Sequence, residues 1–478
     1  MLLRSPNIIG GSAPAASVIF ALSAADSLTK SKAILRSCSM GKEAEEEEEE
    51  KVYAHYNHTD SCKHLRWTAR ESYEFMEKRP WHEINDFYSN LVIGHYSLSY
   101  LFGPSKELQI KNAVNRCGDL PESADSLKEF KKFTEDRRGR WQRLTFKIVL
   151  SYHGGSFDGW QKQPGLNTVQ GVLENSLGGF VDEKKAQQLK ERLLPVEPSV
   201  SVAGRTDKGV SALQQICSFY TWKKDIDTKD IEDDVNNVAP GKIRALVVSK
   251  VSRDFHPNFS AKWRRYLYIF PLKDEDGPVT VNEQSISCDT VLSDKDLEEN
   301  RCIEDSLDEE PKKEVADFNQ VNSNGASNTM NDESQMKPKC FSVSKVNQLM
   351  RQLEGKSLSY KIFSRDTKAS RSTGPATECY LFHARAVETI LPCETKVDAG
   401  RQRVMCVELV ANRFLRKMVR VLVSTAIREA AAGADDKALL RLMDATCRRA
   451  TAPPAPPDGL CLVEVGYEEF IQDFCLII

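Results

Sequence analysis

The sequence predicts an α/β or α+β fold in which strands are combined with amphipathic helices. Apolar residues alternate with polar ones from Leu144 to Leu150, which is the period-two pattern of a strand. Thr168 precedes a stretch with apolar residues at helical spacing, and threonine is a common N-cap. Segments of both kinds alternate along the chain, so the fold combines a sheet with packed helices.

The remaining elements follow from the same two periodicities. Further strands are expected through Ile216 and Phe219, from Ile243 to Val251, near Leu381, from Val404 to Val410 and from Leu460 to Val465. Helices are expected around Ile231 and Val235, over Val346 to Leu353, and from about Arg413 to Ala432.

Changes in composition divide the chain into five parts. We expect a transit-peptide-like and acidic N-terminus over 1–50, an N-terminal extension over 51–140, an ordered segment over 141–272, an acidic and disordered insertion over 273–340, and a second ordered segment over 341–478.

The net charge of −3 is the sum of two strongly acidic segments and a strongly basic remainder of the chain. The glutamate run 43–50 carries −7 and the segment 274–333 carries −14, so the rest of the chain carries +18. A basic body with separate acidic segments suits a polyanionic partner such as nucleic acid, although surface lysines are common in any protein.

Residues 1–42 contain one acid against five bases, with many serines and alanines. This composition is typical of a chloroplast or mitochondrial transit peptide, although an ordinary N-terminus in the nucleus or cytosol fits as well. No apolar run reaches the ~20 residues of a membrane-spanning helix, so no membrane partner is expected. His55, His58, Cys62 and His64 could be read as metal ligands, but they match no zinc spacing, and no metal site is predicted.

The sharpest local motif is Gly204 to Ala212, in which two glycines bracket Asp207. Arg205 and Lys208 favour the ionised form of this carboxylate, which suits a nucleophile better than a proton donor. The residues alone equally allow a surface turn in which Asp207 bonds its own backbone.

A second motif runs from Phe259 to Tyr268 and interleaves bases with aromatic residues. In a strand, Arg264, Tyr266 and Tyr268 share one face, where they could contact phosphates and unpaired bases. An ordinary strand with one aromatic core face has the same pattern.

A third motif places four bases at helical spacing with no compensating acid. The expected stripe is Arg413, Arg416, Lys417 and Arg420. Such a stripe is usually a solvated face, but it also suits a surface that faces phosphates.

Together these motifs resemble the tRNA pseudouridine synthase A family over 142–270 and 340–468. The stretch Phe157 to Gln170 is similar to the family's first strand, turn and helix, and Gly204 to Ala212 is similar to its catalytic motif. Lys208 and Ser211 resemble the eukaryotic branch. His153 stands where an aspartate is usual, and Ser424 replaces a frequent glycine.

The resemblance implies a pseudouridine synthase fold, in which a mixed, largely antiparallel sheet in two similar halves is flanked by helices and has a central RNA-binding cleft. On this resemblance, 141–272 is the first catalytic half and 341–478 is the second catalytic half. It implies that Asp207 is the catalytic nucleophile, that Tyr266 contacts the target base, and that Arg420 pairs with Asp207. Arg205, Lys208, Arg264, Arg413, Arg416 and Lys417 would bind the RNA. The implied partner is tRNA, with a uridine of the anticodon stem and loop as the target; no cofactor is implied, and the protein would be a homodimer or a monomer.

Two other functions are compatible with parts of the sequence. An RNA-binding module could retain the same fold with little or no catalysis, although binding alone does not demand the trio Asp207, Tyr266 and Arg420. An aspartate-dependent glycosidase would normally need a second, paired acid, which the motif lacks.

Overall fold

The computed structural model describes residues 58–103, 143–273, 337–365, 377–392, 402–445 and 447–478. From His58 onward these residues belong to one compact unit, Ala54–Ile478. The expected transit peptide and nearly all of the acidic insertion lie outside the described residues. None of the described helices is long and apolar enough to cross a membrane.

A single sheet of nine strands organises the part of the chain that the structure describes. Its strands are β1 (Leu144–Tyr152), β2 (Ser201–Val202), β3 (Ser211–Thr221), β4 (Ile243–Val251), β5 (Trp263–Pro271), β6 (Lys356–Ser359), β7 (Glu378–Ile390), β8 (Arg403–Ala411) and β9 (Leu460–Gly466). The order is β4-β1-β3-β9-β5-β8-β7-β6, with β2 paired to β3.

One parallel pairing, the only one among the described strands, joins two antiparallel parts of the sheet. These parts are β4-β1-β3 and β9-β5-β8-β7-β6. The start of β3 pairs with the start of β9, with Ser211 opposite Cys461 and Ala212 opposite Leu462. The other ladders are antiparallel. The predicted mixed, largely antiparallel sheet is therefore confirmed, and the junction places the loop before β3 at the middle of the sheet.

Helices flank this sheet. They are α1 (Ala69–Glu77), α2 (Trp81–Ile93), α3 (Ser99–Phe102), α4 (Val169–Ser176), α5 (Glu183–Glu191), α6 (Thr228–Val238), α7 (Val343–Arg351), α8 (Met418–Ala431) and α9 (Ala438–Arg441). Thr168 caps α4 by accepting a hydrogen bond from the Gly171 amide, and Val169 and Leu173 on its inner face are fully buried. The predicted cap and apolar face are both confirmed.

The third motif folds differently from the prediction. The helix begins at Met418, not at Arg413, and Lys417 has a left-handed backbone with φ of 59°. Asn412 explains the delay, because its amide donates to the Tyr380 carbonyl and its side-chain oxygen accepts from the Tyr380 amide. These bonds hold the chain to the neighbouring strand beyond the end of β8. The predicted four-base helical stripe is therefore wrong.

The N-terminal extension packs into the core. Ile84 and Tyr88 of α2 are fully buried, and the Trp81 ring lies edge-on to Phe270 of β5 at 5.7 Å. Arg66, which precedes α1, pairs with Glu429 of α8 at 2.7 Å, and both side chains are buried. The extension thus supports both β5 and α8.

The C-terminal tail is anchored by a buried carboxylate, Glu408 of β8. Its oxygens accept hydrogen bonds from the Leu476 and Ile477 amides at 3.0 and 2.8 Å. Burial alone would raise the pKa of Glu408, but a hydrogen bond from His383 and the charge of Arg265 outweigh burial and lower it. An ionised Glu408 is therefore the state that ties the tail to the sheet.

Candidate functional site

Asp207 lies in the loop that leads into β3, at the junction of the two parts of the sheet. The loop closes with a hydrogen bond from the Val210 amide to the Asp207 carbonyl at 3.2 Å. Gly209, with φ of 82°, provides the left-handed backbone that this turn requires. The Asp207 carboxylate is 33% exposed, so it is open to a ligand while its backbone is fixed.

A buried hydrogen-bond network holds this loop in place. The Tyr152 hydroxyl and the Thr206 hydroxyl lie 2.8 Å apart, and both residues are buried. The Gln215 side chain donates to the Gly204 carbonyl at 2.8 Å, and the Trp160 amide donates to the Thr206 carbonyl at 3.0 Å. Sequence reasoning missed Tyr152 and Gln215, because neither carries a motif signal and both act through contacts distant in sequence.

Glycines outside the loop allow its close packing. A Cβ atom on Gly154 would lie 2.4 Å from the Gly209 carbonyl oxygen, and one on Gly159 would lie 3.1 Å from the Lys208 amide nitrogen. Gly159 also has φ of 97°. Glycine is therefore needed at both positions, because another backbone segment lies directly against each of them.

Arg420 faces the Asp207 carboxylate from the first turn of α8. Its Nη1 lies 3.6 Å from Oδ2 of Asp207, an ion-pair distance longer than a good hydrogen bond. Its Nε donates to the Ala455 carbonyl at 2.6 Å, and the Ala455 amide donates back to the Arg420 carbonyl at 3.1 Å. The guanidinium is therefore fixed on one side by Ala455 and directed at Asp207 on the other.

A proline-rich segment, Pro453–Gly459, braces both the arginine and the loop. Its carbonyls accept hydrogen bonds from the side chains of Tyr268 at 2.9 Å and Tyr88 at 2.8 Å. Pro457 also lies against Gly209, 3.0 Å from where a Cβ would stand. Ser424 of α8 donates to the Pro453 carbonyl at 2.5 Å. The serine at this position therefore adds a hydrogen bond between α8 and the proline-rich segment that glycine could not make.

Tyr266 lies on β5, next to the Asp207 loop. Its hydroxyl is 3.9 Å from the position of a Cβ on Gly204, and its ring meets Phe414 edge-on at 5.0 Å. Burial raises the pKa of Tyr266 to about 12, with a lowering effect from Arg264 and a raising effect from Asp207. At neutral pH the side chain is therefore a phenol, which stacks or donates a hydrogen bond.

Arg264 does not occupy the phosphate-facing position that was predicted for it. Its guanidinium is buried and donates to the carbonyls of Asn412 at 2.9 Å and Ala203 at 3.0 Å, and to the side-chain oxygen of Asn258 at 2.7 Å. With these acceptors bound, Arg264 ties three segments together beneath Tyr266. Its role in the structure is to support the site.

The other predicted RNA-binding residues lie on loops around this centre. Arg205 and Lys208 are exposed, and Lys208 pairs with Asp158 at 2.9 Å. Arg416 is exposed, whereas Arg413 and Lys417 are half-buried on either side of it. These cations lie on the loop before β3 and on the loop between β8 and α8, and each loop has one residue next to Tyr266, Gly204 and Phe414.

Among the described residues, one group of side chains lies close enough together to bind a metal ion. His383, Glu408 and Cys475 have ligand atoms within 4.8 Å of one another and are buried. The Glu408 oxygens, however, already accept two tail amides, and Arg265 lies 3.5 Å away. That arrangement fits an anchor better than a cation site. His58, Cys62 and His64 do not form such a group, and His55 lies outside the described residues.

Comparison with known proteins gives matches over part of the chain, and these matches are to tRNA pseudouridine synthases. The family described as tRNA pseudouridine synthase matches residues 366–468. A tRNA pseudouridine synthase A of Solibacter usitatus is 40% identical over 122 residues, covering 26% of this chain and 45% of that protein. One of Dictyoglomus thermophilum is 38% identical over 133 residues, covering 28% of this chain and 49% of that protein. The chain thus matches about half the length of these relatives.

Proposed function

We propose that this protein is a tRNA pseudouridine synthase, an isomerase in which Asp207 is the nucleophile. The observation that carries the proposal is the Asp207–Arg420 ion pair at 3.6 Å, which lies beside Tyr266 at the junction of the sheet. The similarity to enzymes named tRNA pseudouridine synthase A supports the reaction and the class of RNA.

The chemistry begins with a uridine turned out of its stack, because the carboxylate cannot reach a stacked base. Asp207 attacks either C1′ of the ribose or C6 of the uracil. Cleavage of the bond between N1 and C1′ frees the base to rotate, and C5 then bonds to C1′. C5 then loses its proton to solvent, N1 gains a proton, and release of the carboxylate regenerates the enzyme, so no atom is gained or lost overall.

Each residue at the site has a distinct part in this reaction. Arg420 orients Asp207 and balances its charge before the attack and after release. The Tyr266 ring stacks on the uracil and its hydroxyl donates a hydrogen bond at the reacting centre. The high pKa of the phenol disfavours a role as the base that removes the C5 proton. Arg205 and Lys208 contact phosphates around the flipped nucleotide.

The substrate region and the cellular setting extend this proposal. We place the target uridine in the anticodon stem and loop, and we place the protein with the eukaryotic branch of the family, as a homodimer or a monomer. The basic, serine-rich N-terminus supports a chloroplast or mitochondrial location. A fluorescent fusion of residues 1–60 tests that location, and a diffuse cytosolic signal would refute it.

The direct test is product analysis. The full chain and its Asp207→Asn variant are incubated with an unmodified tRNA transcript, which is then digested to nucleosides and quantified for pseudouridine. Product from the parent alone supports the synthase. Tight binding by both proteins with product from neither supports the alternative, an RNA-binding module of the same fold.

A further inference from the structure

An exposed aromatic pair, His256 and Phe259, lies in the loop before β5. The Phe259 ring is 82% exposed, and its centroid is 4.3 Å from that of His256 at an interplanar angle of 31°. Among the large apolar side chains exposed within the described residues, only the chain-end Ile478 and Leu193 are more exposed. The Phe259 ring therefore presents a flat apolar face that is open to a ligand.

The loop that carries the pair is held in one conformation. The Ser260 amide donates to the His256 carbonyl at 2.9 Å, and the His256 amide donates to the Ser260 hydroxyl at 3.2 Å. The amides of Asn258 and Phe259 both donate to Nδ1 of His256 at 3.2 Å. The Tyr467 hydroxyl donates to the Pro257 carbonyl at 2.9 Å. The aromatic surface is thus preorganised and does not result from a loosely placed loop.

The pair is coupled to the candidate site through Arg264. One guanidinium nitrogen of Arg264 donates both to Asn258, which adjoins Phe259, and to the carbonyl of Ala203, which begins the Asp207 loop. The exposed cation Arg205 follows two residues later, and the other guanidinium nitrogen binds the carbonyl next to Arg413. The aromatic pair therefore borders the site where cations also converge.

We propose that His256 and Phe259 form a stacking platform for an unpaired base that neighbours the target uridine. This inference rests on the proposed function. A flat ring offers sequence-tolerant stacking to any base, and flanking cations hold the phosphates of an unpaired strand. Turning one uridine out of its stack leaves a neighbouring base without a partner, and the platform replaces the lost stacking on that side.

The experiment measures binding of a fluorescein-labelled, unmodified tRNA transcript by anisotropy, using the full chain. Phe259→Leu removes the aromatic ring but keeps an apolar side chain, and it should weaken binding about tenfold. Phe259→Trp keeps a stacking surface and should bind within about threefold of the parent. Tyr100→Leu changes another exposed aromatic, 59% exposed on α3, and serves as the matched control with unchanged affinity.

Salt dependence separates stacking from phosphate contact. Loss of stacking lowers affinity without changing the slope of affinity against salt, because no counterion release is lost. Any of three results would overturn the proposed stacking platform. These are parent-like affinity of Phe259→Leu, failure of Phe259→Trp to bind as well as the parent, and a flatter dependence of affinity on salt in Phe259→Leu. Tritium release by the parent from the same tRNA sequence, transcribed with 5-tritiated uridine, tests the proposed function separately, so failure of one does not imply failure of the other.

Discussion

Replacing Arg420 by methionine tests how the site holds its nucleophile. Methionine has similar length and no charge, so it removes both the contact with Asp207 and the hydrogen bond to Ala455. RNA should still bind, because Arg420 is buried behind the carboxylate. The expected loss is therefore in the rate of the chemical step and not in affinity.

The magnitude follows from the geometry. Two unit charges separated by 3.6 Å interact by about 4–5 kcal/mol at an effective dielectric constant of about 20. The Asp207 carboxylate is 33% exposed, so water screens the interaction and leaves about 1.5–3 kcal/mol, the range of a hydrogen bond to a charged group. The single-turnover rate constant should therefore fall about 10- to 150-fold.

The assay is tritium release under single turnover, with saturating enzyme and 5-tritiated uridine in tRNA. Circular dichroism and urea unfolding report whether the variant is folded. Arg428→Met is the matched control, because Arg428 is also buried on α8 but pairs with Glu429 and the Ala450 carbonyl. It should lose stability and keep its rate. A folded Arg420→Met protein with a rate within about threefold of the parent would refute the reasoning.

Three further predictions follow from the structure. Tyr266→Phe should bind tRNA normally and turn over at least about tenfold more slowly, because the buried hydroxyl beside the Asp207 loop is lost; parent-like single-turnover rates would contradict this role. Reversing the charges of Arg413, Arg416 and Lys417 together should weaken tRNA binding and flatten its salt dependence, and unchanged filter-binding affinity would refute that surface. Glu408→Gln should cost about 3 kcal/mol of stability at pH 7 in urea unfolding. Because the folded-state pKa of Glu408 is lowered, the stabilisation from its carboxylate is present at neutral pH and is lost as pH falls through that pKa. The stability of Glu408→Gln should therefore depend less on acid pH than that of the parent. An unchanged pH dependence of stability would contradict the ionised state of Glu408.

The strands were the most predictable part of the fold. Ile243–Val251 and the strands around Leu381 and Leu460 lie where apolar alternation placed them. Their pairing was not predictable from periodicity, because the parallel contact between β3 and β9 joins residues about 250 positions apart.

The errors arose where tertiary hydrogen bonds compete with helical propensity. Residues 413–417 have the spacing of a helix, yet Asn412 holds the chain to Tyr380 and Lys417 adopts a left-handed backbone. Arg264 fits a phosphate-binding pattern in sequence, but acceptor oxygens of three protein residues satisfy its guanidinium in the structure. A sequence shows which groups are charged and does not show which of them donate their hydrogen bonds to acceptors within the protein.

The N-terminal extension has a structural role that its sequence pattern did not predict. Its aromatic residues carried no recognisable motif, and no role could be assigned to them from spacing alone. In the structure, Tyr88 donates to the Gly459 carbonyl and Asn85 donates to Asp458, so the extension supports the segment that fixes Arg420. Only the three-dimensional contacts relate this region to the site.

The central claim is that Asp207 performs chemistry on uridine in tRNA. The most direct measurement is tritium release from tRNA carrying 5-tritiated uridine, comparing residues 52–478 with the same protein carrying Asp207→Ala. The account predicts release by the parent, none by the variant, and tRNA affinities within a few-fold of each other. Release by both proteins, or by neither while tRNA remains tightly bound, would contradict it.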